Sequence, residues 1–580
     1  MEDRLSTVSV KGRLHSGHSS LPWDPGQPAG FLAGIDFEQV LAHPEVKTII
    51  QSMPVQPLYY GIKKVGLAEA VDILPYLTSD QVLRMFDYDC WIAGELNLKK
   101  SLPWINAFGS LGKEQLYKRF SDLDEEYQLA LLQGRLRVYG QEDMEKMSDS
   151  DQDALYKMPC NLIFYHILSE DEDEITAIYN IIEAALQENI SYAYALINYA
   201  SFVPPNESAQ TLKQFRNARL EEDGFVHYEE AYTLFSGIDH AEVFSRWADA
   251  RAEITSGAVI ESEDMLNNFF DKALSLAQVK EWSIDDIYTF HQSLLYLSNS
   301  LMSLVHLDPD DMFGLNRILS QAKAMVSLGL DYLAGGDLEV ALLVLKEEHP
   351  KTLFKVGLSL VDDIRQTTVK KILKTGINGS QEIDSAWRRR QYGEVLYIID
   401  AKLSDSLGHD QSEILKGLFN RFPMRMSYID ESKTKLNFKL IESMVGLKML
   451  MSAVNGLFGI LHLLKGAGAF PLQASLEKSI VTASVHALIG KGFAIRPISE
   501  EDLKTFNDLG SHEIKERLQG LSYDAKGQLD KDKKDWLMDG YEVSSEGAVF
   551  ESTRILEEIF MGVELASSES MKKFQDQFLL

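Results

Sequence analysis

The sequence predicts an all-α protein, an N-terminal helical-repeat superhelix followed by helical bundle segments. Three observations predict it. Helix-start signatures recur: Leu77-Thr78-Ser79-Asp80-Gln81 and Phe120-Ser121-Asp122-Leu123-Asp124 each set an apolar residue, a Ser or Thr cap, and an amide or acid three residues on. That is the pattern of a hydrophobic staple with a capping box. Apolar residues recur three and four apart, as one helix face requires. Alternating runs of the kind a half-buried strand needs are not evident.

Taken in order, residues 1–34 are rich in Gly, Ser, His and Pro and read as a flexible tail, with Trp23 as an anchor for a neighbour. From 35 to 203, short apolar helices alternate with Pro, Gly or Ser/Asp turns, as at Leu58–Ile62, Ala70–Leu77 and Leu116–Phe120. Gly66 and Gly109 precede comparable helix–turn–helix units about 43 residues apart, within the range of helical solenoid repeats. Ser169 with Glu172 makes a further cap. Pro204-Pro205 cannot continue a helix and opens a second helical domain, 206–377. Helices are expected there over 263–280, 284–305, 314–334 and 336–347, with Ser283 and Asp286 capping the second. Asn378-Gly379-Ser380 precedes the C-terminal domain, 381–580, in which Ser499 with Asp502 is another cap. This domain carries a charged loop at 530–535 and an amphipathic helix near 546–562.

The C-terminal domain also holds an apolar run, Met449–Leu464, of about 16 residues, short of the roughly 20 that cross a bilayer. Lys448, Ser452, Asn455, Gly459 and His462 form a polar stripe along it, and Ser475, Ser479, Thr482 and His486 form another along the next helix. The reading is a helical hairpin over 441–490 with buried apolar faces, and polar stripes that meet water or each other. No membrane span is expected.

At 580 residues the chain exceeds what one core usually supports. Its formal charge of −30 disfavours nucleic acid and anionic lipid as partners. The one basic run, Arg388-Arg389-Arg390, reads as a solvated helix face paired with Glu382 and Asp384. Two cysteines, Cys90 and Cys160, cannot build a disulfide framework or a zinc cluster, and both are expected to fill small buried spaces. Met1-Glu2-Asp3-Arg4 opens no signal peptide, so the expected location is cytoplasmic.

Candidate chemistry gives way to plainer readings. His462 and His486 would stand roughly 15 Å apart along a hairpin, too far to share an ion, and each is expected to be capped or partly exposed. His166 with Glu170, Asp171, Glu172, Asp173 and Glu174 is explained by acids complementing a helix dipole. In Asp87-Tyr88-Asp89-Cys90-Trp91 the acids would raise the thiol pKa, and Trp91 is expected to pack with Trp104. Phosphate-loop, dinucleotide, zinc-protease and nucleophile-elbow motifs are absent from the sequence. No catalytic, cofactor-binding or metal residue is therefore assigned. The expected function is a non-enzymatic cytoplasmic interaction or regulatory scaffold, whose protein partner presents a basic contact surface. The alternatives are an enzyme with a site assembled from distant helices, or a divalent-cation-responsive regulatory module.

Three phrases carry a resemblance: LYYGIKKVGLAEAVDILPYLTSDQVLRMFDYDCW from Leu58, LPWINAF with RFSDLDEEYQLALLQGRLRVY from Leu102, and DGFVHYEEAYTLFSGID from Asp223. Over 35–140 and 220–245 the chain resembles a family of large, acidic, helical bacterial proteins of uncharacterised function, which implies a helical fold and brings no active residue with it. More distantly, Leu74–Phe86 is similar to the cytosolic superhelical domain of MgtE-type magnesium transporters. That likeness covers about a hundred residues and implies no transport, because the pore domain has no counterpart.

Overall fold

The computed structural model describes residues 35–509, except 93, 149–151, 154, 203–204, 255–268, 280–281, 429–435, 467–475, 477–478, 480–481, 483–484, 487 and 492–495. The tail 1–34, the loop 530–535 and the helix expected near 546–562 lie outside the described residues. Helix predominates. The chain forms two compact units, one of residues up to Ala231 with Trp282–Asn316, the other of Tyr232–Glu281 with the residues from Arg317 on.

The first unit opens with α1 (Phe37–Ala42), α2 (Val46–Ser52) and α3 (Val55–Val65). Pro54 starts α3, and Gly66, at φ +96°, stops it. α4 (Ser79–Asp89) begins with the expected capping box. Thr78 Oγ1 accepts the Gln81 N–H at 3.1 Å, and Gln81 Oε1 accepts the Thr78 N–H at 2.9 Å. The Gln81 amide also donates to the carbonyls of Ile50 and Met53, so one residue closes the start of α4 and the end of α2.

Next come β1 (Trp91–Ile92), β2 (Glu95–Leu96), α5 (Leu98–Ser110), α6 (Lys113–Ser121), α7 (Glu125–Leu132), β3 (Leu136–Gly140), α8 (Gln141–Met144), β4 (Tyr156–Lys157) and β5 (Ile163–Ile167). These strands correct the expectation of helix alone. β1 and β2 make a short antiparallel pair; β3, β5 and β4 make an antiparallel sheet with β5 central. β5 reads Ile-Phe-Tyr-His-Ile, residues that suit a pleated surface. Two caps are also corrected. Ser121 is still the last residue of α6, and Asp124 stands at the cap of α7. Ser169 follows a strand, and Asp171 caps α9 (Glu172–Glu188) by accepting the Asp173 N–H. Gly109 lies inside α5 whereas Gly66 ends α3, so these glycines do not mark equivalent points of a repeat.

α10 (Ile190–Phe202) and α11 (Pro205–Glu222) lie on either side of the Pro204-Pro205 break, both in the first unit. After α12 (Tyr228–Tyr232), α13 (His240–Ile254) and α14 (Phe269–Val279) belong to the second unit, and α15 (Ile284–Leu304) belongs to the first. Ser283 caps α15 as expected. The amides of Gln56 and Asn299 exchange two hydrogen bonds, of 2.9 and 2.8 Å. Gly224, at φ +95°, lies so close to the Tyr296 backbone that a Cβ could not fit, and its carbonyl accepts the Ser300 hydroxyl at 3.0 Å.

The second unit is built on α16 (Met312–Ala334, from Arg317), α17 (Leu338–Glu347) and α18 (Pro350–Thr375). α18 runs 26 residues, with His349 as cap, Pro350 at its first position and Gly376 at φ +69° after its end, the asymmetry helices prefer. α16 and α18 meet backbone to backbone. A Cβ on Gly329 would fall on the Leu353 carbonyl oxygen, and one on Gly357 on the Met325 carbonyl oxygen.

Then follow α19 (Ser380–Arg388), α20 (Tyr392–Ile398), α21 (Ser404–Leu407), α22 (His409–Phe419), an antiparallel hairpin of β6 (Met424–Tyr428) and β7 (Leu436–Leu440), α23 (Met444–Gly466) and α24 (Glu500–Asn507), which starts with the expected Ser499–Asp502 capping box. Phe235, Phe354 and Phe422 cross edge to face at about 6 Å in the core. Asp331 on α16 accepts the Met444 N–H at 2.7 Å and so caps α23 from another helix. In the hairpin reading, Leu457 and Leu461 are buried as expected. Ser479, Thr482 and His486 are buried too, so of the two expected alternatives for this stripe, water or protein, it does not meet water, and His486 is not partly exposed. Among the described residues no helix is long and apolar enough to cross a membrane.

Candidate functional site

The acid–thiol–aromatic phrase at the end of α4 folds into a buried charge network. Two carboxylates at a helix C-terminus oppose the macrodipole, so cations must compensate them. Arg219 on α11 holds Asp87 with two hydrogen bonds, of 2.5 and 3.0 Å, and reaches Asp124 at 2.6 Å. Arg216, one turn earlier, donates to the Asp87 carbonyl at 2.9 Å and stacks 4.5 Å from the Trp91 ring centre. Asp89 accepts from Lys63 at 2.9 Å, Tyr59 at 3.1 Å and Trp104 at 2.7 Å. The two tryptophans therefore serve different partners: Trp104 binds Asp89, while Trp91 donates to the Tyr127 hydroxyl and crosses its ring edge-on. Burial pushes the Asp87 carboxyl up, and Arg219 pulls it back. With every one of these charges bonded internally, the cluster is a clamp joining α3, α4, α5 and α7 to α11.

The cysteines part company. Cys90 is buried, as expected, and burial beside Asp89 and Asp87 pushes its thiol well above the ordinary range. Cys160 is exposed in the turn between β4 and β5, not in a buried space at a helix start. The Tyr194 hydroxyl and the Leu162 N–H hold its thiol below the usual value. Iodoacetamide at neutral pH is therefore expected to label Cys160 alone in the native chain, because the thiolate is the nucleophile. Peptide mass spectrometry reads this; native labelling of Cys90 at a similar rate would contradict the assignment.

The histidine candidates do not converge. His166 lies on β5 opposite Arg137, while the acids from Glu172 to Glu174 form the first turn of α9. Lys99 pairs with Asp171 at 3.1 Å. His486 meets the Thr482 carbonyl at 3.0 Å and lies 3.7 Å from Asp502. Of His462 the side chain lies outside the described residues. Among the described residues no group of three or more His, Cys, Asp or Glu side chains could hold a metal ion.

Two surfaces were not legible in advance as sites. The first is on α10, where Tyr192, Ala195, Tyr199 and Phe202 follow one face at helical spacing. Tyr192 is tied down, crossing Tyr117 edge-on and bonding Gln128. Tyr199 is 54 % exposed and Phe202 is 78 % exposed. The second is a cleft of about 430 Å³ in the second unit, between one face of α18, the end of α19 and the segment leading into α13. Asp362, Asp363, Gln366 and Lys370 line it from α18, and His240 lies 3.6 Å from Asp363.

The basic run lies at this cleft, and only part of its expected pairing holds. Arg388 bonds Asp384 at 2.8 Å as expected, but Glu382 pairs with Lys402 and Arg389 with Glu394. Arg390 turns the other way. Its Nη1 donates to the Phe235 carbonyl at 2.7 Å and to Asp362 at 3.2 Å. Beneath it the buried Arg365 donates to Asp362 at 2.9 Å and to the Leu418 carbonyl at 2.9 Å, closing the end of α22.

The chain belongs to a family of unknown function (DUF6178), whose match spans residues 34–537. No curated protein and no solved structure matches it.

Proposed function

We propose that this family member is a non-enzymatic cytoplasmic interaction or regulatory scaffold, with the outer face of α10 as part of its contact surface. The observation that carries the reading is the exposed aromatic pair Tyr199 and Phe202, one turn apart on a helix whose other face is in the core. Large aromatics left in water are what an interface core is made from. The charge of −30 selects a partner that is basic at the contact, and makes the encounter salt-sensitive. The superhelical reading of the first unit is part of the same proposal. It is supported by α9, which packs against α5, α6 and α10, the neighbour-on-neighbour stacking of a helical repeat.

Affinity capture from the native cell, with the tagged full chain and with its Tyr199→Ser/Phe202→Ser variant, tests the reading. A stoichiometric partner is expected on the wild type, released by added salt and lost from the variant, with the variant's circular dichroism and thermal midpoint unchanged. Equal capture by both chains, or none by the wild type, would refute it.

A further inference from the structure

We infer that the cleft between α18 and α19 is a binding site for a small organic oxyanion, a carboxylate or phosphate ester, held by Lys370, Gln366 and the spare N–H groups of Arg388 and Arg390. This site is separate from the α10 face and does not depend on it.

The first support is backbone geometry. Arg390 has φ +55° and follows the last turn of α19. Its N–H bonds the Trp387 carbonyl at 2.8 Å, and the next N–H, of Gln391, bonds the Ala386 carbonyl at 3.0 Å. This is a helix-ending turn in which glycine is the favoured residue, because a Cβ in the left-handed region is strained. An arginine stands there against that preference, and it lines the cleft. Strain of this kind points towards a use for the side chain.

The second is which groups are already bonded. Asp362 is held by Arg365 and Arg390, and Asp384 by Arg388, so these carboxylates orient cations. Arg390 uses Nη1 for both of its cleft bonds, which leaves the N–H groups of Nε and Nη2 over. Arg388 uses only Nε for Asp384. Among the described residues Lys370 makes no ion pair and Gln366 no hydrogen bond, although one turn of α18 separates them and both line the cleft. Asp363, open at the rim beside His240, is the one carboxylate there not bonded to an arginine. The unbonded groups are thus chiefly donors and cations, which is what carboxylate and phosphate oxygens require.

The third is setting. The protein as a whole carries 87 acidic against 57 basic side chains, yet Arg388, Arg390 and Lys370 all line this cleft, against Asp362 and Asp384, which are bonded to arginines, and Asp363. A cleft of about 430 Å³ is in the range that accepts a small metabolite.

Isothermal titration of the full chain with sodium phosphate and with disodium succinate, each against sodium chloride at equal ionic strength, is the test. Saturable heat with at least one of them is expected; phosphate alone would indicate a phosphate ester, and succinate alone a carboxylate. Lys370→Gln and Arg390→Gly should each weaken it by about tenfold or more, as loss of a charge-assisted bond does. Glycine suits the left-handed position, so Arg390→Gly removes the guanidinium without backbone strain. Should that variant fail to fold, Lys370→Gln on the exposed helix face decides alone. No saturable heat with either anion, or heat unchanged by the variants that fold, overturns the site.

Discussion

Gly357→Ala is expected to destabilise the second unit by about 3 kcal/mol or more, the upper range for forcing atoms into a packed core. Its added methyl would land on the Met325 carbonyl oxygen across the α16–α18 crossing, and Gly329→Ala would meet the Leu353 carbonyl in the same way. Backbone cannot swing aside as a side chain can, so the helices must separate. The higher helix propensity of alanine returns only about 1 kcal/mol. Gly393→Ala is the control, since its Cβ would meet nothing within 4 Å in α20. Thermal unfolding followed by circular dichroism should show a large fall in midpoint for the first two and none for the third. A midpoint preserved in Gly357→Ala would mean that the helices do not cross at contact distance.

Arg219→Met is expected to cost the first unit about 3–5 kcal/mol, the penalty for stranding a buried charge. Asp87 would keep only the Tyr127 hydroxyl, at 3.2 Å, as a side-chain donor. The loss should depend on pH in a definite direction. Burial already raises the Asp87 carboxyl, and removing Arg219 leaves only the Arg216 charge and the Tyr127 hydroxyl to oppose that push, so the carboxyl rises further. An acid whose folded pKa is raised favours the fold below its unfolded pKa and loses that contribution as pH rises through the folded value. The gap between wild type and variant should therefore narrow as pH falls towards about 4 and widen above it. Adding Asp87→Asn to the variant should recover part of the loss at neutral pH. A gap independent of pH would show that packing, and not the stranded carboxylate, sets the penalty.

Local chemistry was legible in the sequence where one residue decided it. Thr78 with Gln81 and Ser499 with Asp502 form their boxes because cap and partner are three residues apart. Ser121 and Ser169 do not cap because Asp124 and Asp171 stand closer to where the next helix starts; Asp171 accepts the Asp173 N–H, while Asp124 turns its carboxylate to Arg219. Five-residue strands such as β5 escape periodicity analysis, and its partner β3 is decided by pairing far along the chain. The stripe of Ser479, Thr482 and His486 was visible, but spacing cannot say whether a polar face meets water or protein. At the cleft, Arg388 found the nearby acid expected of it. Arg390 did not, because Phe235 and Asp362 lie 155 and 28 residues away, and a left-handed arginine carries no local signal. The α10 face was hidden for a simpler reason: an apolar helix gives no sign of which aromatics its neighbours leave uncovered.

The return of α15 to the first unit has a consequence for synthesis. Gln56 finds Asn299 243 residues later, and Gly224 finds the Tyr296 backbone only after residues of the other unit have been made. At about 5–20 residues per second, roughly 12–50 s pass between translation of Gln56 and of its partner. Through that interval the apolar surface that Leu294, Leu297 and Leu301 help to bury has no cover, on a nascent chain still tethered to the ribosome. A chain released early, at Ala231, would never acquire that cover, so ribosome pausing or premature termination in the following stretch should leave a chaperone client rather than a folded fragment.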